Sequence, residues 1–599
     1  MSSRLKLLTG GGRDLPARQQ TLRGAIEWSY SLLDPAEQAL FARLAVFVGG
    51  GTMDAIEAIC NAASDLEIDV LDGVASLLDK SLLQQMEGPA SEPRFVMLET
   101  IREYAWERLE EDPAFSAAAR QAHASYFADF TRRQWERLTG SGREAALGEM
   151  EADLENVRTA WRYWVAEGDL EQLRKITDSL WLLYDARGWY HAAADLTSDL
   201  LNVLAATPST PERAQEEILL QTSLARVLMA IKGYTPEVEA AYTRALALCQ
   251  EQGAIPQLFP VLRSLSTFYV MVGQLEKGAQ LGAEILSLAE RQDDASMRVE
   301  GHLVLASCVF GSDLRLALEH LDQAIAQYDP DQHHARRFRL GTNPGVACFS
   351  ASALYFWMLG FPERALERAN EAVALANRLN HPFSMAYALF HTGFLHLWRR
   401  EVERVEERAQ AALAIAEEHA FQIWKALAIC LQGAALAGMG RAEEGLQQVN
   451  RGIELYQALT TPPIFWPLLL SIRAEVYAQA GRPAEGVILI NEALDVSGPK
   501  ARDPLTAELC RLKGELLRAR SPEQAAEAEP WFRQALEIAQ EREARMVELR
   551  AAISMSRLWR AHGKADEGRR LLSEAYGSMT EGFATADLQE ARALLAEGS

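Results

Sequence analysis

GFPERALERANEAVALA (Gly360–Ala376) opens on a turn glycine, and small or apolar residues follow at offsets five, nine, twelve and thirteen: Ala365, Ala369, Ala372 and Val373. Those offsets fall on one face of a 3.6-residue helix. The pattern recurs after Gly273 (Gly278, Gly282, Ile285, Leu286), Gly440 (Gly445, Val449, Gly452, Ile453) and Gly481 (Gly486, Ile490, Ala493, Leu494). It returns at Gly188, Gly233 and Gly563, and copies without the glycine start at Ser312, Arg400 and Glu523. Successive starts are 39 to 48 residues apart, mostly 40 to 42.

A second helix precedes each turn. Seven residues before it stands a small residue (Ser266, Ala353, Gly393, Gly433, Ala474, Ser556), and four before it usually a large one (Tyr269, Phe356, His396, Leu436, Tyr477, Trp559). Small residues let two helices approach, and large ones fill the groove beside them. The unit is therefore a helical hairpin with too little core to stand alone. A fixed period of this length marks a stacked solenoid.

The small residue, the aromatic three later, the turn and the following Ala-x3-(Phe/Tyr/Leu)-x2-Ala resemble the tetratricopeptide repeat. The period is longer than that repeat's roughly 34 residues and looks like the extended repeats of bacterial signalling ATPases. The expected fold is mainly α: an N-terminal winged helix, then a right-handed tetratricopeptide-like α-solenoid of about ten hairpins.

Composition sets limits. The chain has 599 residues and a formal net charge of −23, which opposes broad binding to nucleic acid or anionic membrane. There is no apolar run of about 18 residues, so no membrane span is expected. The start, MSSRLKLLTGGGRD, lacks a signal-peptide core. Six cysteines without Cys-x-x-Cys pairs read as buried, reduced thiols of a cytoplasmic protein.

The N-terminal third reads differently. TLRGAIEWSYSLL (Thr21–Leu33) is an amphipathic helix; Asp34 caps, and Pro35 opens, a second, PAEQALFARLAVF. GGGT breaks the chain, and Thr52 caps MDAIEAIC. VLDGVASLLDKSLL (Val70–Leu83) is a fourth helix, SLLQQM and RFVML form a hairpin around EGPASEP, and Glu99–Leu109 is helical again. Helices followed by a hairpin give a winged helix over 21–111. A helical connector spans 112–150, irregular first hairpins 151–205, and the repeats 206–599.

TLRGAIEWSYSLLDPAEQALFARLAVFVGG, LLDKSLL and RFVMLETIREYAWERL resemble the winged-helix segment of STAND ATPases, the signal-transduction ATPases with numerous domains. In that family the segment follows the nucleotide-binding module, and LKLLTGGGRDLPARQQ, within residues 1–20, looks like that module's remnant. The resemblance extends through ENVRTAWRYW, and the C-terminal stretch is similar to regions fused to adenylate or guanylate cyclases or to DNA-binding domains. The phosphate-cradling Gly-x4-Gly-Lys-(Ser/Thr) is absent from the sequence. The resemblance thus implies a non-enzymatic sensor or scaffold region. Its partners would be an ATPase domain, in cis or in trans, and an effector or protein in the solenoid groove. No cofactor is expected.

Several residues carry candidate roles. Val70–Leu83 is the helix best placed for a DNA groove, but its charges are Asp72, Asp79 and Lys80, and residues 1 to 110 hold 10 Lys/Arg against 17 Asp/Glu. A DNA-binding transcriptional regulator remains the alternative function. Met97-Leu98-Glu99 looks like the position of the family's Met-His-Asp nucleotide-sensing motif. Leu98 replaces the histidine and cannot donate a hydrogen bond. The competing reading is a buried strand end. Arg336, Arg337 and Arg339, beside His333 and His334 in an insertion, suit an anionic ligand or a phosphorylated or acidic partner, against a solvated loop. Trp398, Trp424 and Trp466, with Phe421 and Phe465, recur near helix ends and could grip a peptide or small effector, against packing between hairpins. His391 and His396, five apart, are no metal pair on a helix. No catalytic or metal-ligand motif stands out.

Overall fold

The computed structural model describes residues 22–139, 142–187, 189–232, 234–253, 255–330, 342–419, 421–459, 465–498, 501–520 and 526–597. Among these there are 29 α-helices and three short strands. The described residues divide into two compact units, parting between Val227 and Leu228.

The first unit begins with a winged helix: α1 (Leu22–Ser31), α2 (Pro35–Leu44), β1 (Gly51–Thr52), α3 (Met53–Cys60), α4 (Val70–Asp79), β2 (Gln84–Glu87), β3 (Pro93–Val96) and α5 (Glu99–Leu109). Asp34 starts α2 through a capping box: Glu37 N–H donates to Asp34 Oδ1 at 2.8 Å and Asp34 N–H to Glu37 Oε2 at 2.9 Å. Thr52 caps α3 through the Ala55 N–H. The antiparallel sheet has the order β1-β3-β2, with Gly51 opposite Phe95 and Gln85 opposite Phe95 on the other edge. Two sequence boundaries are corrected. Helix α2 stops at Leu44 and α4 at Asp79, where Ser81 turns left-handed (φ 58°) and starts the wing. Strand β1 is too short to show an alternating pattern. Gly73 lets α4 lie against α2, since a Cβ there would stand 2.5 Å from Leu40 Cδ2.

Helices Pro113–Thr139, Arg143–Ala152, Leu154–Glu167, Leu170–Arg187 and Tyr190–Ala205 follow. A buried polar network joins them to the wing. Arg94 of β3 donates to both Asp153 carboxylate oxygens, at 3.0 and 2.7 Å, and to Gly50 O at 3.1 Å. Asn156 Nδ2 donates to Gly50 O (2.9 Å) and to Asp153 (3.0 Å), and its Oδ1 accepts from Val48 N–H (2.7 Å). Gly50 has φ 81°, and a Cβ on it would sit 2.4 Å from Phe95 O, so only glycine presents that carbonyl here.

The second unit is a run of antiparallel helical hairpins, among them Pro344–Met358 with Pro362–Arg378, Pro382–Trp398 with Val402–Glu418, Gln422–Gly438 with Ala442–Ala458, Trp466–Gln479 with Pro483–Ser497, and Arg545–Ala561 with Ala565–Gly577. The turn glycines Gly273, Gly360, Gly440, Gly481 and Gly563 all have positive φ, and Arg400 adopts it without being glycine (φ 63°). Each closes the preceding helix with the same bond: Phe361 N–H donates to Phe356 O at 2.9 Å, Arg441 to Leu436 at 2.9 Å, Arg482 to Tyr477 at 2.8 Å, Glu401 to His396 at 3.0 Å. The acceptors are the large residues four before the turn. The turns of the copies starting at 188, 233 and 523 lie outside the described residues.

The small residue seven before the turn meets the one five after it. Built Cβ atoms on Gly445, Gly486 and Gly568 would stand 2.4, 3.0 and 3.3 Å from the carbonyls of Gly433, Ala474 and Ser556. The hairpin crossing is thus set by two small residues at backbone contact distance. Stacking then buries Ala365, Ala369 and Ala372 as the spacing requires, while Val373 is half-buried. Pro344 and Gly345 open a helix capped by Asn343, whose Oδ1 accepts from Gly345 N–H at 3.0 Å. All six cysteines are buried and free.

Candidate functional site

The repeats carry an aromatic cluster on the first helices of the middle hairpins. Trp424 is 4% exposed, with ring centroids 5.6, 5.4 and 5.9 Å from Phe383, Tyr387 and Phe390; Phe465 lies 5.7 Å from Phe390. His391 stacks on Tyr387 at 4.0 Å, and enclosure pushes it down to about 4 despite a hydrogen bond to Tyr387 O. Trp424 Nε1 is buried with no hydrogen-bond partner among the described residues. The other two tryptophans pack against the edge of the same apolar cluster. Trp398 stacks on Trp357 at 4.6 Å, and Trp466 donates from Nε1 to Glu492 at 3.0 Å beside Tyr456. His396 is buried against Glu401, its Nδ1 2.5 Å from Oε2.

A second feature was not legible in the sequence. Arg550, 9% exposed, donates from Nε to Asp587 (2.9 Å), from Nη1 to Glu508 (3.1 Å) and from Nη2 to the Trp398 carbonyl, with its guanidinium 4.9 Å from the Trp357 ring. Arg511 clasps Glu508 through two bonds, at 2.8 and 2.7 Å. Burial opposes ionisation of Glu508, but the two arginines outweigh it and hold its carboxyl down to about 2. Glu475 stands 3.9 Å from Arg511 and is raised, burial being the largest cause. The only advance signal was charge on helices whose neighbours are apolar.

On the winged helix, α4 turns Val70, Gly73, Val74 and Leu77 inward and exposes Leu71, Asp72, Ala75 and Asp79. Lys80, following its last turn, is tied back: Nζ lies 2.7 Å from Glu37 Oε1 and 2.5 Å from Ser76 Oγ. Burial raises Glu37, but Lys80, Ser76 and the Asp34 N–H together hold it below the usual carboxylate range. The exposed face is thus apolar and acidic.

Leu98 is not a buried strand end. Strand β3 stops at Val96, Met97 is buried, and Leu98 stands 47% exposed at the N-cap of α5. Glu99 pairs with Arg102 at 3.2 Å. His333, His334, Arg336, Arg337 and Arg339 lie outside the described residues. No group of three or more His, Cys, Asp or Glu that could hold a metal occurs among the described residues.

Comparison with known proteins places these features. Residues 33–110 match the model of a winged helix-turn-helix domain family. A protein of Mycobacterium tuberculosis named "Putative HTH-type transcriptional regulator" is 30% identical over 299 residues, covering 48% of this chain and 32% of its own length. An uncharacterized M. tuberculosis protein is 33% identical over 112 residues, 18% of this chain and 28% of its own. The chain thus spans about a third of the length of these relatives. Among solved structures, a signal transduction ATPase with numerous domains carrying a tetratricopeptide repeat sensor, from Pyrococcus horikoshii, aligns with TM-score 0.43 at 13% identity over 84% of this chain and 68% of its own. A Rap protein complexed with competence and sporulation factor aligns with TM-score 0.44 at 15% identity over 64% and 99%. The chain joins a winged helix-turn-helix domain to a helical-repeat solenoid. No helix among the described residues is long and apolar enough to cross a membrane.

Proposed function

We propose that this chain is the sensing and relay region of a cytoplasmic STAND-type regulator. A protein partner or small effector binds in the repeat unit, and the winged helix passes the event to a nucleotide-binding domain, in cis or in trans, without chemistry by this chain. One observation carries the relay: α4 offers solvent Leu71, Asp72, Ala75 and Asp79, while Lys80 is consumed by Glu37. A helix of that character suits a protein surface, because a phosphate backbone requires positive charge and repels carboxylates. Hairpin stacking supports the sensing half, since small rotations between neighbours add along a solenoid.

The second reading, a DNA-binding transcriptional regulator, is favoured by the winged helix-turn-helix match and by the name of the mycobacterial relative. Fluorescence anisotropy with random and genomic duplexes at low salt separates the two. The relay reading expects weak, sequence-indifferent binding that Asp72→Lys with Asp79→Lys strengthens. Tight sequence-selective binding by the unmodified chain would reverse the ranking.

A further inference from the structure

Two histidines face each other between neighbouring helices of the repeat unit. His302 stands on helix Ala295–Val309 and His320 on the next helix, Leu314–Gln327. Their Nδ1 atoms are 3.0 Å apart and their ring centroids 5.3 Å. Both residues are half-buried, so solvent reaches the pair. Farther from the turn, the same two helices are joined by Arg298, whose Nε donates to Gln327 Oε1 at 2.7 Å. Spacing gives no hint of the histidine pair, since 18 residues separate its members and neither belongs to a ligand motif.

A neutral imidazole carries one N–H and one bare nitrogen. Two Nδ1–H groups would collide at this distance, and two bare Nδ1 lone pairs would repel. The gap between the rings therefore takes one proton or one cation. Burial lowers His302, with a smaller push from His320, and burial lowers His320 against an opposing pull from Glu319. Both rings are thus neutral near pH 7, the form that ligates metals. Arg298, one turn before His302, is offset by Asp293 at 3.2 Å. A metal about 2.0–2.1 Å from each nitrogen would hold them close to a right angle, given their 3.0 Å separation. Right angles suit square or octahedral Cu²⁺ and Ni²⁺ better than tetrahedral Zn²⁺.

We propose that His302 and His320 form a two-imidazole site for a divalent transition metal, Cu²⁺ or Ni²⁺, with water in the remaining positions. The metal takes the place of the shared proton and crosslinks the two helices. With imidazole nitrogens as its donors the site does not hold Mg²⁺, which requires oxygen ligands. The pair needs no effector in the groove and no partner domain, so it is independent of the proposed sensing role.

The test uses the full chain carrying His333→Gln and His334→Gln, so that this other histidine pair contributes nothing. Calorimetric titration with NiCl2 near pH 7 should show one equivalent bound at least tenfold more tightly than in the same chain with His302→Gln or with His320→Gln. With one equivalent of Cu²⁺, electron paramagnetic resonance should show two imidazole nitrogens, and fewer in either variant. A measurement without substitutions at the site accompanies these. Ni²⁺ should protect His302 and His320 together from diethylpyrocarbonate, read by mass spectrometry, and Mg²⁺ should not. Equal Ni²⁺ affinity in all three chains, a two-nitrogen signal that survives either substitution, or unchanged modification of the two histidines would overturn the proposal.

Discussion

Arg94 and Asp153 form a bidentate ion pair with both side chains about nine-tenths buried, 59 residues apart in sequence. It bolts the wing of the winged helix to the helices behind it. Gly50 O and Asn156 complete the bonding. Removing one partner of such a pair leaves a buried charge uncompensated. Asp153→Ala should therefore lose about 3–5 kcal/mol from the first unit, while replacing both residues by leucine and methionine should restore most of it. Denaturation followed by hydrogen exchange, read for each unit separately, gives the number. A loss under about 1 kcal/mol would mean the pair is solvated.

The hairpin crossing predicts that two glycines five residues apart respond differently. Gly440 has φ 84° and open space around it; Gly445 has a carbonyl 2.4 Å from where its Cβ would be. Gly440→Ala should lose about 1 kcal/mol, the strain of a left-handed alanine. Gly445→Ala must push two helices apart and should lose about 3 kcal/mol, the upper range for overpacking. Urea unfolding of the repeat unit compares them. Equal losses would show that the helices are not in backbone contact at this point.

These glycines also show where the sequence was readable. A repeated hairpin states its rule ten times, so the turn position and the small residues on either side emerge from spacing alone. The winged helix was readable through its caps, Asp34 and Thr52, because capping is local chemistry. Contacts between distant hairpins were not. Glu581 caps a helix 218 residues away in sequence, and nothing within the repeat period encodes which hairpins meet. Arg550 was hidden for a different reason: its carboxylate partners lie 42 and 37 residues off, about one repeat away, and the repeat gives which hairpins adjoin but not which charges pair between them. For the tryptophans, spacing gives a face, whereas their neighbours fix how far that face is open.

His123 supplies a pH dependence. It is 2% exposed, with Nε2 3.3 Å from Asn156 Oδ1. Burial pushes it down to about 4, against smaller upward effects of the Asn156 bond and the Asp153 charge. The folded state thus binds its proton later than the unfolded chain, whose histidine titrates near 6.5. Between those values the unfolded state holds more protons, so stability falls as pH drops from about 6.5 to about 4, by about 3 kcal/mol in all. Above about pH 6.5 this contribution is constant. Comparing the first unit of the unmodified chain with His123→Gln across pH 4 to 7 isolates it. Parallel profiles would rule out a histidine held neutral by burial.

Trp424 and Trp466 separate packing from recognition. Trp424 is almost fully buried among Phe383, Tyr387 and Phe390, so Trp424→Ala opens a cavity between hairpins and should lose about 3–5 kcal/mol of repeat-unit stability. Any effect of that variant on binding would follow from the damaged hairpin. Trp424→Phe keeps the ring and removes the partnerless Nε1, so it should lose less, about 1–2 kcal/mol, because the buried donor needs no partner once it is gone. Trp466 is half-buried and bonded to Glu492 at the edge of its helix. Trp466→Ala should lose only about 1 kcal/mol, the value of one modest hydrogen bond and partial burial. It is therefore the variant in which a change of ligand affinity reports contact. Thermal and urea unfolding of the three variants, run before any binding measurement, establish the order. Should Trp466→Ala prove as damaging as Trp424→Ala, both rings belong to the core and neither can serve as a probe of the groove.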